Sequence, residues 1–229
     1  MKKTRRKAPA AERTGSPVGA RKPRFKREAP EKRRSDLIDA AIRCLAEGGM
    51  GAFKMERVAA EAGVSLGLVS HYFTSKDELL TEMYRRALYD DVNRKVEELD
   101  AEPADGSAGS AARRLSRMVD SLIDPAYLKP ANLTTWLSLW GEIIVNPPLR
   151  KTHRTLYRSY MDLLSRLIAA VAAERNLKIS APEMARNFQA LIDGLFLERA
   201  LDSQALDHAD LRRAAFQYLE LQLGALGAS

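Results

Sequence analysis

Ser65, Gly67, Leu68, Ser70, His71 and Tyr72, with Lys54 before them and Lys76 after, form the stretch of this 229-residue chain best suited to reading a charged polymer. On a helical wheel Gly67, Ser70 and His71 fall on an outer arc with Leu68 at its margin, whereas Leu66, Val69, Tyr72 and Phe73 fall inward. Hydroxyl and imidazole groups on such an arc suit the edges of bases in a major groove. The two ammonium groups and the Tyr72 hydroxyl suit phosphate oxygens. A second set lies downstream: Trp136 and Trp140, four residues apart on one helical face, and His153, Tyr157 and Tyr160 within an apolar stripe. Polar-tipped rings in an apolar stripe need a partner, supplied by protein, water or ligand. The set suits either a filled core or a chamber for a small molecule.

Other chemistries find no support. The histidines His71, His153 and His208 are scattered and show no metal-site spacing, and no nucleophile elbow, phosphate loop or dinucleotide fingerprint is present. Neither a metal, a cofactor nor catalysis is expected. The longest apolar run, residues 167–173, is far shorter than the roughly twenty residues a bilayer requires, so no membrane partner is expected. The lone Cys44 lies beside Ala41 and Leu45 on an apolar face, which reads as a core thiol in a reducing cytoplasm.

The elements that must position these residues are helical throughout, and the expected fold class is all-α. Met55, Val58 and Ala59 line one side of a short helix. Gly63 ends it in a left-handed turn, and Ser65 caps the next helix, with Val64 stapled on Val69. Two helices this short bury no core alone; they make sense when the second enters a groove and the first braces it. Ser75 and Glu78 then form a capping box for a helix extending to Leu99, followed by a loop over 103–109. Further helices are expected over 110–123, with stops near Pro125 and Pro130, then over 132–145, closed by Pro147-Pro148, and over 149–176, 182–201 and 207–223. The last two carry apolar residues on more than one side. Ala190, Gly194, Leu197 and Leu201, with Phe216 and Leu223, are therefore the expected interface between two copies of the chain.

Charge divides the chain further. The formal net charge is +7, yet residues 1–34 hold fourteen Lys/Arg against three Glu, leaving the remainder at −4. With four prolines and few apolar side chains, residues 1–30 read as a basic arm that is disordered when free, ahead of a DNA-binding unit at 31–78 and a regulatory and dimerisation unit at 79–229. An arm of that sign adds salt-sensitive affinity for nucleic acid; it serves equally as a solubilising tail.

The segment Ala60-Glu61-Ala62-Gly63-Val64-Ser65, with Gly67, Tyr72-Phe73 and Lys76-Asp77-Glu78-Leu79, resembles the DNA-binding domain of TetR-family transcriptional regulators. The upstream helix with its Glu47-Gly48-Gly49 stop is similar too, so the resemblance covers residues 33–82. One position departs: the family commonly has a capping Thr where Lys54 stands. Lys54 cannot cap, though its ammonium reaches toward phosphate. Trp136 to Trp140, Asn146-Pro147-Pro148-Leu149, and residues 191–197 resemble the carboxyl-terminal domain of that family's BetI-type branch, the repressors of choline and glycine betaine genes. The resemblance implies a homodimeric repressor on a double-stranded DNA operator, released by a small effector. A choline-like effector is suggested, since aromatic faces attract a quaternary ammonium. Glu142 falls opposite Trp140 and is no obvious counter-charge. The alternative is an architectural DNA-binding protein whose basic arm does most of the binding and which has no effector.

Overall fold

A computed structural model of the chain describes residues 29–88, 94, 98 and 109–227. The expected arm and most of the 103–109 loop lie outside the described residues, as does most of the helix expected between residues 89 and 99; Arg94 and Glu98 are helical. Nine helices and no strand are found among the described residues: α1 Pro30–Ala52, α2 Met55–Glu61, α3 Leu66–Tyr72, α4 Lys76–Leu88, α5 Ser110–Leu122, α6 Pro130–Val145, α7 Pro147–Glu174, α8 Ala181–Leu201 and α9 His208–Leu223. The all-α expectation holds.

Helices α1 to α4 share one core, in which Leu37, Leu45, Phe53, Val58, Val69, Phe73 and Leu79 are fully or almost fully buried. Cys44 is buried among them, and burial pushes its thiol pKa up, as expected of a core thiol. Ion pairs join α1 to its neighbours: Arg43 to Glu61 at 2.6 Å, Arg86 to Asp39 at 3.0 Å and Arg34 to Glu82 at 3.3 Å. All are solvent-accessible, so each contributes little beyond fixing orientation. The second unit packs α5 and α8 against the long α7 and closes it with α6 and α9. Its buried row on α7 runs through Tyr160, Leu163, Leu164, Leu167, Ile168 and Val171. Helix α4 joins the units by packing on α1 in the first and on α7 in the second.

Several boundaries differ from the sequence pattern. Pro130 opens α6 and Pro147 opens α7, where the pattern predicts stops. Proline lacks only a donor that the first turn leaves unsatisfied anyway, so it starts a helix as readily as it follows one. Asn146 ends α6 and caps α7, its side chain accepting from the Leu149 N–H at 3.0 Å. The capping box at α4 is half formed: Ser75 Oγ accepts from the Glu78 N–H at 3.1 Å. Glu78 reaches one residue further back, to the Thr74 N–H and hydroxyl, both at 2.8 Å, and these bonds hold its carboxyl below the usual range. At α9 the full box forms between Asp207 and Asp210.

The glycine stop of α1 is real: Gly48 and Gly49 leave helical geometry, and Gly49 has φ 60° and ψ −158°. That combination is almost exclusive to glycine, and a Cβ there would stand 3.2 Å from Ser138 Oγ of α6. Gly49→Ala is expected to lower unfolding stability by about 1–3 kcal/mol, measured by denaturant titration. Unchanged stability would mean that the α1–α6 contact tolerates a side chain.

Candidate nucleic-acid interface and ligand cavity

The turn between α2 and α3 follows from two residues. Gly63 takes φ +64°, the left-handed conformation a side chain resists, and Ser65 Oγ accepts from the Leu68 N–H at 3.3 Å. Removing such a cap costs about 1 kcal/mol. Lys54 precedes α2 with extended backbone and makes no side-chain cap, as its chemistry requires. Gly67, Ser70 and His71 are exposed along α3, Leu68 is half-buried, and Val69 and Phe73 are buried. Tyr72 is half-buried with its ring edge-on to His71 at 5.3 Å. The Lys76 ammonium lies 5.2 Å from the centre of the Phe53 ring, which steadies a cation beside the exposed face of α3. Among the described residues neither Lys54 nor Lys76 forms an ion pair. Leu66 departs from the wheel: its expected position is inward, and it is 42% exposed. As the first residue of a short helix, it lies beyond the reach of the core that buries Val69 and Phe73.

The second set converges. Trp136 and Trp140 of α6 and His153, Tyr157 and Tyr160 of α7 all line one cavity of about 330 Å³. The two indoles stack at 4.0 Å, and Phe196 of α8 meets Trp136 edge-on at 5.6 Å. Tyr160 donates to Gln189, and Gln189 donates to Asp193 at 2.6 Å. Tyr84 of α4 enters the same wall, its hydroxyl 2.6 Å from His153 Nδ1. Burial, and secondarily Arg154, lower the His153 pKa. The neutral imidazole with its proton on Nε2 can then accept from Tyr84 at Nδ1.

Sequence reasoning missed Tyr84, Gln189 and Asp193. Among the described residues Asp193 is the one acidic residue lining the cavity. Burial pushes its carboxyl up to about 6, offset in part by the Gln189 hydrogen bond. The signal was an acidic residue inside the apolar run of 191–197. Glu142 stays outside the cavity and accepts from Asn146 at 3.4 Å.

The residues expected to join two copies divide. Ala190, Gly194, Leu197 and Leu201 share an exposed face of α8, where Leu201 is 77% exposed. Phe216 and Leu223, only 7% and 1% exposed, belong to the protomer's own core. Their side chains cannot serve an intermolecular face, and Leu221, 79% exposed, is the large apolar residue that α9 presents. The broad apolar character of α9 has another cause: a helix in contact with both α8 and α5 is apolar on two sides without any partner chain.

Residues 37–83 match the model of bacterial regulatory proteins of the tetR family, and residues 111–224 match that of the BetI-type transcriptional repressor C-terminal domain. The HTH-type transcriptional regulator BetI of Ectopseudomonas mendocina is 33% identical over 195 residues, spanning 83% of this chain and 93% of that protein. Its counterpart in Burkholderia thailandensis is 32% identical, spanning 84% and 94%. Among solved structures, a transcriptional regulator from Pseudomonas aeruginosa PAO1 superposes with a TM-score of 0.73 at 30% identity, covering 89% of this chain and 97% of that one. A regulator from Saccharomonospora viridis, solved in complex with choline, superposes with a TM-score of 0.71 at 25% identity, covering 83% and 96%. No described helix is long and apolar enough to cross a membrane. The chain belongs to the TetR family of bacterial transcriptional regulators, which are not enzymes, and it carries the C-terminal domain of the BetI-type branch.

Proposed function

We propose that this TetR-type repressor acts as a homodimer on a palindromic operator and is released when an organic cation of the choline class enters the cavity between α4, α6, α7 and α8. The observation that carries the reading is the pairing of aromatic walls with a single buried carboxylate. Trp136, Trp140, Tyr84 and Tyr157 offer π faces, and Asp193 supplies the counter-charge. The choline bound by the S. viridis regulator supports the same ligand class. In this reading Lys54, Lys76 and Tyr72 hold phosphates, and Ser65, Gly67, Leu68, Ser70 and His71 face the groove. The basic arm adds salt-sensitive affinity. Release follows when ligand binding favours a spacing of the two recognition helices that fits the operator less well.

Three measurements test this. Replacing both Ser70 and His71 by alanine removes exposed groups, so thermal stability should hold while operator affinity falls, by on the order of 1–3 kcal/mol for each base-reading group removed. Undiminished operator binding would remove both residues from the readout.

Leu197→Glu places a charge on the exposed α8 face, and light scattering should then report monomers with weakened operator binding. A dimeric mass would locate the interface elsewhere.

The cation should bind the ionised form of Asp193, so binding must lower that carboxyl's pKa and release must take up a proton. Choline affinity, followed by tryptophan fluorescence, should rise with pH through about 6 and level off above it. Protonation of His153, the other titrating group on this wall, acts in the same direction, since it adds a like charge. Asp193→Asn should abolish most of the pH dependence and weaken binding by on the order of tenfold or more at about pH 8. Operator DNA should weaken choline binding by the factor by which choline weakens operator binding. Absence of any choline response across this pH range would defeat the cation assignment.

A further inference from the structure

In the DNA-binding unit, among the described side chains, every large hydrophobic residue is buried or half-buried except one. The exception is Leu66, on the recognition helix itself. The residues of α3 are Leu66, Gly67, Leu68, Val69, Ser70, His71 and Tyr72, with no Arg, Lys, Asn or Gln among them. The bidentate pairs by which long polar side chains distinguish guanine or adenine are therefore closed to this helix. The remaining direct readout open to an aliphatic side chain is apolar contact with the C5 methyl group of thymine.

The surroundings of Leu66 favour that contact. Residues early in a recognition helix are the ones that meet base edges. Ser65, its neighbour, has its hydroxyl engaged by the Leu68 N–H. Gly67, its other neighbour, has no internal reason to be glycine: a Cβ there would meet only Ser65 Oγ at an ordinary 3.9 Å, and its φ is not in the left-handed region. The missing side chain leaves the backbone beside Leu66 clear for close approach by a groove wall. Leu66 and Ser70 stand four residues apart and form one row of the exposed face.

We infer that Leu66 is a specificity-determining residue that reads a thymine methyl group in each operator half-site. The contact withdraws apolar surface from water on both partners, which a cytosine or a purine at that position does not reproduce. The inference rests on the recognition-helix assignment and is independent of the effector.

The test begins with selection of an operator from random duplex DNA by the full-length protein. Each thymine of the selected site is then replaced in turn by deoxyuridine, which keeps base pairing and removes only the methyl group. At one thymine per half-site, the replacement should weaken binding about fourfold, and about fifteenfold when made in both half-sites, as expected for removal of one buried methyl in each. With Leu66→Ala the same replacements should change affinity less than about twofold. Leu66→Gln, selected afresh, should exchange the thymine for an adenine, the base glutamine pairs with bidentately. A selected site without a thymine sensitive to demethylation, or a sensitivity that persists in Leu66→Ala, would overturn the role. A selection returning no operator at all would instead defeat the DNA-reading function, and the role of Leu66 with it.

Discussion

Helix α4 belongs to two cores at once, and that double membership is the constraint on which the rest of the molecule depends. Leu79, Leu80 and Met83 are fully or almost fully buried, and Tyr84, one residue on, reaches His153 in the cavity wall. A second tie lies at the start of α4, where Asn146 donates to Asp77 at 2.8 Å from the junction of α6 and α7. A close-packed helix of this kind cannot deform gradually, so it shifts between discrete placements. The energies match: a single hydrogen bond contributes about 0.5–1.5 kcal/mol net, and coupling between sites is typically about 1–3 kcal/mol. The Tyr84 to His153 bond is thus large enough to carry a substantial share of any coupling between cavity and recognition helix.

Asp193 gives the cavity its character. A carboxyl raised to about 6 is one that its surroundings penalise when ionised, and the Gln189 hydrogen bond offsets only part of that penalty. Tyr160, Gln189 and Asp193 form a chain that holds the carboxyl in place rather than neutralising it. Near neutral pH the cavity wall therefore holds a poorly compensated charge among aromatic rings. A neutral apolar molecule would bury that charge further, whereas a cation would relieve it, and this difference gives the proposed ligand class its selectivity.

Where local chemistry decides geometry, the sequence is readable. Gly63 turns because only glycine accepts that φ cheaply, Ser65 caps because its oxygen is one bond from the backbone, and the five aromatic and histidine residues converge because their helical spacing gives them no other direction. Where two neighbours compete, it is not. Pro130 and Pro147 are compatible with either end of a helix, and packing chose the start. Phe216 and Leu223 resemble a face for a second chain because periodicity reports that a face is covered, not by what. Asp193 and Tyr84 escape notice because each reaches the cavity from a helix whose apolar pattern is explained by core packing alone. Leu66 escapes because a wheel treats every turn alike, although the first turn of a seven-residue helix projects past the core it belongs to.

The composition of α3 also constrains how this regulator divides affinity from selectivity. A recognition helix with a hydroxyl, an imidazole and an aliphatic tip makes few base contacts, each worth about 1–3 kcal/mol at best. Phosphate contacts from Lys54, Lys76 and the basic arm would supply most of the binding energy in the proposed complex, and they do so without regard to sequence. Discrimination per half-site is then small against the many competing sites of a genome. Doubling it through two copies on a palindrome squares the ratio, which makes the exposed apolar face of α8 as necessary to selective reading as α3 itself. A ligand that alters the spacing of two such weak readers has only the second reader's contribution to overcome, and that is within the reach of one small molecule in one cavity.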